Sequence, residues 1–428
     1  MNSETDNYKR FFIKTLGCKV NQYESQAMRE ILTRAGFKEC LAEDIADIFI
    51  INTCTVTGRA DKESRRMISM FHKINPNAKI VVTGCYVEHD AAEVSFFPGV
   101  SNIIKNNDKN RIAEILGSQV QEHQPNFTIS DFKNHAKAFI KVQDGCENFC
   151  AYCKVPFVRG LPRSKPIIDV LDELSSLIAN GFEEVVLTGI CLGAWGKDLS
   201  DNANLLDLLR ELKRVPGDFR VRLSSIEPKY ATDELIKFIS ENNWMCRHLH
   251  IPLQSGDDEI LKRMNRPYTA REYAAMIGML RSAIKDIAIT TDVMIGFPGE
   301  SENNFKNTLA LVRDILPSRT HIFTFSKRVN TAAYGMDGNV EEPVLKRRYT
   351  QIRAAALSSS YLYRRKFMNN KLDILVETRR DKLTGLLKGY SDNYMNVLFE
   401  GSDELMKKIV PVEIDYINLN YTVGVKIS

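Results

Sequence analysis

From the start of the chain to about residue 118, short apolar runs alternate with stretches whose apolar residues recur every three or four positions. Residues 11–16, 47–51 and 79–83 are dense in Phe, Ile and Val and predict strands, while 21–35 and 59–73 predict helices. Strands alternating with helices of this length predict an open parallel α/β sheet. Residues 119–137 hold polar residues, one proline and no sustained period, so they read as a linker.

The strand–helix unit then repeats about six times. Strands are expected at 138–142, 184–187, 220–223, 248–252, 287–294 and 321–325, with helices at 168–179, 205–213 and 232–240 among the intervening segments. A run of parallel βα units this regular predicts a partial TIM-type (β/α)6 barrel, in which chemistry sits where strands end and loops begin. From about residue 367 the pattern changes to five short strands, 371–377, 384–390, 395–398, 409–416 and 422–427, separated by Gly, Asp and Asn. Such a pattern predicts a small β-barrel of the kind that handles oligonucleotides. The expected organisation is 9–118, a linker at 119–130, a core at 131–366 and a C-terminal module at 367–428.

Composition adds constraints. A length of 428 residues exceeds the about 250–300 at which one core stops growing, so two or three domains are expected. No run approaches the roughly 18 uncharged apolar residues of a membrane span, and the first ten residues lack an apolar signal region. A cytoplasmic, reducing setting and no membrane partner are therefore expected. Nine cysteines then require a role other than disulfides. The net charge of +4 permits a nucleic-acid partner only where the charge is unevenly placed.

Cys146, Cys150 and Cys153 form a C-x3-C-x2-C motif directly after the first strand of the central barrel. Three thiolates on one tight loop can hold three irons of a [4Fe–4S] cube and leave the fourth open. A structural zinc site would be closed by a fourth nearby Cys or His, and none follows in the loop. Cys18, Cys54 and Cys85 each follow a predicted parallel strand, at the sheet edge where open α/β folds place ligands. Spacing alone leaves two readings open for them, buried structural cysteines or a second ligand set. Cys40 and Cys246 show no partner pattern, and Cys191 falls where it would line the barrel mouth.

The C-x3-C-x2-C spacing, with Tyr152 before the last cysteine, resembles the radical S-adenosylmethionine superfamily. That resemblance implies S-adenosylmethionine bound to the open iron and cleaved by one electron to a 5′-deoxyadenosyl radical, the protein orienting the cofactor and excluding water. The stretches Thr15-Leu-Gly-Cys-Lys-Val-Asn-Gln-Tyr-Glu-Ser25, Asn52-Thr-Cys-Thr-Val56 and Thr83-Gly-Cys-Tyr86 are similar to the N-terminal domain of the methylthiotransferase family, and the tail resembles its TRAM module. The likeness covers nearly the whole chain. It implies a second [4Fe–4S] cluster on Cys18, Cys54 and Cys85 that carries the sulfur to be transferred. Within the family, Gly17-Cys-Lys-Val-Asn21 is most similar to the branch acting on N6-threonylcarbamoyladenosine beside the anticodon of tRNA.

The resemblance also assigns cofactor-contacting positions at the strand ends: Thr188 and Gly189 after the second strand, and Ser224, Ser225 and Glu227 after the third. His250 and Gln254 follow the fourth, and Asp292 and Gly296 the fifth. Taken singly, each also suits a cap or a turn; glycines at 296 and 299 suit a turn that approaches an adenine ring or a turn alone. For RNA, residues 345–366 carry Lys346, Arg347, Arg348, Arg353, Arg364, Arg365 and Lys366 and no acid, which predicts a basic helix or helix pair. Such a run is ordinarily a solvated face; the β-barrel after it makes phosphate contact an expectation. The segment 367–428 has eight Lys and Arg against nine Asp and Glu, so contacts there have to be local. Arg379, Arg380 and Lys382 are the candidates, with Tyr390 or Tyr394 stacking on an unpaired base.

The function expected is methylthiolation of a tRNA base at an unactivated aromatic C–H, which offers no acidic proton to a general base and so calls for a radical. The resemblance implies tRNA, a flavodoxin- or ferredoxin-like electron donor and a sulfur donor as partners. Alternatives are the same chemistry on isopentenyladenosine or on an aspartate of a small-subunit ribosomal protein. From another class, a non-catalytic iron–sulfur RNA binder or redox sensor remains.

Overall fold

A computed structural model describes residues 9–41, 43–118, 127–199 and 203–427. The expected linker lies outside the described residues over 119–126. The chain divides into two compact units: Met1–Asp131 with Gly145–Glu147 and Cys153–Leu161, and Phe132–Asp144 with Asn148–Tyr152 and Pro162–Ser428.

The first unit is built on five parallel strands, β1 (Arg10–Thr15), β2 (Lys38–Glu39), β3 (Ile48–Thr53), β4 (Lys79–Gly84) and β5 (Val100–Ile104), in the order β2-β1-β3-β4-β5. Helices α1 (Lys19–Arg34), α2 (Gly58–Ile74) and α3 (Cys85–His89) follow β1, β3 and β4. All of β3 is buried because both faces of the sheet are covered. Phe49 and Ile51 pack with Phe71 of α2 on one face, and Ile48 and Ile50 with Met28, Ile31 and Leu32 of α1 on the other. The alternation is the period of two expected of a strand. Strands β2 and β5 had no counterpart in the hydrophobic pattern, the one being two residues long and the other largely half-exposed.

In the second unit, β6 (Ala138–Asp144), β7 (Arg163–Ser164), β8 (Glu184–Gly189) and β9 (Arg220–Leu223) form one sheet in the order β7-β6-β8-β9. A second sheet holds β10 (His248–His250), β11 (Ala288–Ile295) and β12 (Arg319–Thr324) in sequence order. Parallel bridges Val221–Met245 and Ser225–His250 join the two, so β6, β8, β9, β10, β11 and β12 succeed one another in parallel, as expected of a partial (β/α)6 barrel. The tail closes into a five-stranded barrel, β13 (Lys371–Val376), β14 (Leu387–Ser391), β15 (Asn396–Phe399), β16 (Ile409–Ile417) and β17 (Thr422–Lys426), ordered β13-β14-β15-β17-β16. Its interior is filled by Ile374, Val376, Val397, Phe399, Val412 and Ile414.

The C-terminal barrel packs against the amino ends of the parallel strands. Glu184 opens β8 and is fully buried between Arg220 Nε at 2.7 Å and Arg222 Nε at 2.8 Å. The two guanidinium groups reach on to carbonyl oxygens of the barrel: Arg220 to Asp373 and Tyr390, Arg222 to Ser391 and Asp392. Lys137 with Glu377 at 2.7 Å and Arg247 with Asp392 at 2.6 Å add ion pairs beside this clamp.

Burial alone would raise the Glu184 pKa, but Arg222 and Arg220 outweigh it and hold the carboxyl well below the usual carboxylate range. A depressed carboxylate pKa contributes stability that is present above the unfolded-state value, about 4.3, and is lost as pH falls below it. Glu184→Ala leaves two guanidinium groups buried without their anion and is expected to cost about 3–5 kcal/mol. A chemical-denaturation series against pH will show a wild-type stability that falls on acidification, and a variant whose fall below about pH 4 is shallower.

Candidate active site

The N-terminal thiols come together by topology. Parallel strands end on one edge, and β1, β3 and β4 deliver Cys18, Cys54 and Cys85 to that edge directly or after a short turn. Cys18 is exposed at the N-cap of α1, whereas Cys54 and Cys85 are buried. Two glycines allow the convergence. Gly17 has φ +94°, and a side chain on it would meet the Cβ of Cys54 at 2.7 Å; Gly84 has φ +97°, and a Cβ there would lie 2.3 Å from the Thr53 carbonyl oxygen. Burial pushes the Cys54 thiol up to about 12, with Cys85 and Cys18 adding to the rise, and burial raises Cys85 as well.

Beneath the thiols lies a buried polar network made from the residues between the cysteines. Asn21 donates to the carbonyls of Leu16 at 2.7 Å and Thr53 at 2.9 Å, and Asn52 donates to the Asn21 carbonyl at 2.9 Å. Glu24, one turn along α1, is buried and paired with two cations, Lys109 and Arg159. Arg159 closes the short helix Val155–Arg159, its Nη1 2.5 Å from Glu24 Oε1, its Nη2 2.6 Å from Asn21 Oδ1 and its Nε 3.2 Å from Cys85 Sγ.

The motif Cys146–Cys153 is shared between the two units. In the first, the Cys146 amide donates to the Gly160 carbonyl at 3.0 Å, and the Val155 amide donates to Cys153 Sγ at 3.4 Å. In the second, Arg266 Nη1 donates to Cys150 Sγ at 3.2 Å. Arg266 is itself held by an ion pair to Glu227 and by Tyr268, whose hydroxyl is 3.0 Å from Nε. Each cysteine set thus has one buried arginine on one thiol, and each arginine is fixed by a glutamate.

The strand ends of the second unit gather several predicted cofactor positions. Ser225 forms a ladder bridge to His250, His250 Nε2 is 3.3 Å from Asp292 Oδ2, and the Gln254 amide donates to the Asp292 carbonyl at 2.8 Å. Gln254 holds φ +66°, a strained backbone of the kind that concentrates at functional sites. Thr188 and Gly189 close β8, with Gly189 against Gln143. The Ser224 hydroxyl is buried with no hydrogen-bond partner, so a ligand hydroxyl would satisfy it. Gly296 has φ +76°, a Cβ on it would lie 2.2 Å from Leu345, and its amide donates to Glu300.

The basic run is one helix, Glu342–Arg365, and its cations divide. Arg348 is buried on Glu300 at 2.7 Å, and Arg364 is buried with its guanidinium on Thr422 and the carbonyls of Asn418 and Leu419. Arg348 is thus held inward on an acid, whereas Arg364 also lines a groove between β12, this helix and the C-terminal barrel. Lys346, Arg347 and Arg365 are exposed, Arg347 lying 2.8 Å from Glu302. Arg379 and Lys382 are exposed, and Arg380 is tied to Asp403 and to the carbonyls of Gly385 and Gly401. Tyr394 stacks on His248 at 4.3 Å and on Tyr390 at 5.1 Å at the seam between barrel and strands, and both tyrosines line a groove there.

Among the described residues, no three Cys, His, Asp or Glu side chains close on a single metal ion. A cube with iron at each corner asks for something different, ligands spread so that each thiolate holds its own iron. All-sulfur donors, N–H···S bonds from buried arginines and an orphaned serine hydroxyl fit such clusters and a bound S-adenosylmethionine.

Comparison with known proteins agrees. Residues 10–105 match an uncharacterised protein family, UPF0004, and residues 140–312 match the radical SAM superfamily. The threonylcarbamoyladenosine tRNA methylthiotransferase MtaB of Bacillus subtilis is 37% identical over 417 residues, 94% of this chain and 92% of that one. Its namesake from Thermotoga maritima is 38% identical over 91% of each chain. The tRNA-2-methylthio-N6-dimethylallyladenosine synthase of Clostridium tetani is 32% identical over 97% of this chain and 95% of its own. The chain belongs to the radical S-adenosylmethionine tRNA methylthiotransferases. It is therefore an enzyme that uses S-adenosylmethionine and [4Fe–4S] clusters. At the level of fold alone, the radical S-adenosylmethionine methyltransferase TsrM of Kitasatospora setae superposes with TM-score 0.56 at 13% identity, over 76% of this chain and 77% of that one.

Arg159, Arg266, Lys109 and Glu24 had no signal in the sequence beyond their nearness to cysteine or strand-end motifs, because burial of a charge is a tertiary property. The glycine before Cys85 gives a direct test. Gly84→Ala combines a positive-φ backbone, about 1–3 kcal/mol, with a collision against the Thr53 backbone. The variant is expected to melt earlier than wild type in thermal denaturation, by more than backbone strain alone would produce.

Proposed function

We propose that the enzyme places a methylthio group on C2 of N6-threonylcarbamoyladenosine, next to the anticodon of tRNA. The observation that carries the chemistry is the pairing of two cysteine triads, Cys18/Cys54/Cys85 and Cys146/Cys150/Cys153, each with a buried arginine on one thiol. When bound, the clusters and S-adenosylmethionine supply the electron, the radical and the sulfur. The chain's own residues provide ligands and a strand-end cradle from Thr188, Ser224, Glu227, His250 and Asp292. The substrate assignment draws on Gly17-Cys-Lys-Val-Asn21 and on the identities of 36–38% to relatives named for threonylcarbamoyladenosine, against 31–32% for those named for dimethylallyladenosine. A cytoplasmic flavodoxin- or ferredoxin-like reductant and a separate sulfur donor complete the reading. No helix among the described residues is long and apolar enough to cross a membrane.

A groove in the second unit suits the RNA. It has a volume of about 870 Å³ and lies between β12, the helix Glu342–Arg365 and the C-terminal barrel. Exposed Arg319, Phe323, Tyr349, Arg353 and Tyr421 line it. Guanidinium groups interleaved with aromatic rings suit an unpaired strand, the cations holding phosphates and the rings stacking bases. Its β12 wall runs from Arg319 at the amino end to Phe323 near the carboxyl end, so RNA held by the barrel is led toward the strand ends.

Anaerobic reconstitution is expected to load about eight iron per chain, and Cys146→Ala/Cys150→Ala/Cys153→Ala about half of that. The loaded enzyme is then offered tRNA carrying threonylcarbamoyladenosine, tRNA carrying isopentenyladenosine, and the small-subunit ribosomal protein, with products read by mass spectrometry. Methylthiolation of the first alone is expected; product only on another overturns the substrate assignment. For the groove, Tyr349→Ala is expected to weaken tRNA binding by about 1–3 kcal/mol. Arg353→Ala should lower the salt dependence of binding by about one phosphate contact in a titration across ionic strength.

A further inference from the structure

We propose that Arg159 is a positioning residue for the N-terminal cluster: its guanidinium bonds the Cys85 sulfur, fixes that ligand and holds the cluster at a higher reduction potential than three unassisted thiolates would give. The inference rests on the reading that Cys18, Cys54 and Cys85 are ligands.

Three observations lead to it. The Arg159 side chain is wholly buried, as is that of Glu24, and a buried guanidinium is retained only where its charge is used or balanced. Glu24 pairs with Lys109 as well as with Arg159. The guanidinium is directed at sulfur, with Nε 3.2 Å from Cys85 Sγ, while Nη1 and Nη2 are anchored on Glu24 and Asn21. All three nitrogens of the guanidinium are thereby committed, leaving little freedom in its direction toward Cys85.

The physical consequence follows from charge. Three thiolates bring three negative charges to a place where two of the thiols are buried, and water cannot offset them there. A donor hydrogen bond to one thiolate withdraws electron density and stabilises the added electron of a reduced cluster, which raises the potential. Arg159 follows Cys153 by only a few residues. The segment bearing the second cysteine set thus also supplies the cation for the first.

The test uses full-length Cys146→Ala/Cys150→Ala/Cys153→Ala protein, in which only the N-terminal cluster can load. Its midpoint potential is read by potentiometric titration monitored by electron paramagnetic resonance. Arg159→Met is expected to shift the midpoint to more negative values, and Arg159→Lys to recover part of the shift. Arg159→Met combined with Glu24→Gln retains the same net buried charge as the parent but lacks the bond to sulfur, so its midpoint should stay below the parent's. An unchanged midpoint in iron-loaded Arg159→Met overturns the proposal, and so does a return to the parent value in the double variant. If Arg159→Met fails to load iron, the double variant alone decides. A parent protein that binds no iron overturns the ligand reading as well as this one.

Discussion

The N-terminal unit is organised around three cysteine sulfurs gathered at one edge of a sheet whose central strand is buried on both faces. A parallel sheet permits this, since successive strands end on one side and residues distant in sequence meet there. Beside the sulfurs, the buried set Arg159, Lys109 and Glu24 places charge next to Cys85, with Asn21 and Asn52 tying it to the backbone on either side. Asn21 and Glu24 occupy α1 at positions one turn apart, so they face the thiols together.

In the second unit the two ends of the parallel strands have separate duties. The amino ends are clamped to the C-terminal barrel through Glu184 and its two arginines, a buried contact in which barrel carbonyls take up the remaining guanidinium N–H groups. The carboxyl ends are left to Ser224, Glu227, His250 and Asp292. A strong, fixed contact at one end permits an open, polar site at the other, because the strands that connect them are rigid. The groove along β12 runs between the C-terminal barrel and the helix Glu342–Arg365.

The helix Glu342–Arg365 shows how a charge run should be weighed. Its cations look alike in one dimension. In the fold, Arg348 neutralises Glu300, Arg364 caps carbonyls of the barrel, and Arg353 lines the groove. The helix is therefore partly a structural tie between the (β/α)6 core and the barrel and partly a wall of the groove.

The amino-acid sequence alone determined the strand and helix pattern, because hydrophobic period is a local property. It placed β9 at its observed limits and most other strands within two residues, and it marked the cysteine sets, since motif spacing and strand ends are written along the chain. The two-residue β2 and half-exposed β5 left no apolar run and were invisible. Only tertiary structure decided which charges are buried. It paired Glu24 with cations distant in sequence, put Arg266 on Cys150, turned Arg348 inward, and stacked Tyr390 and Tyr394 on each other at the barrel seam. A charged side chain has the same identity at the surface and in the core. What it does depends on the partners that long-range packing brings to it, and hydrophobic pattern carries no record of those partners.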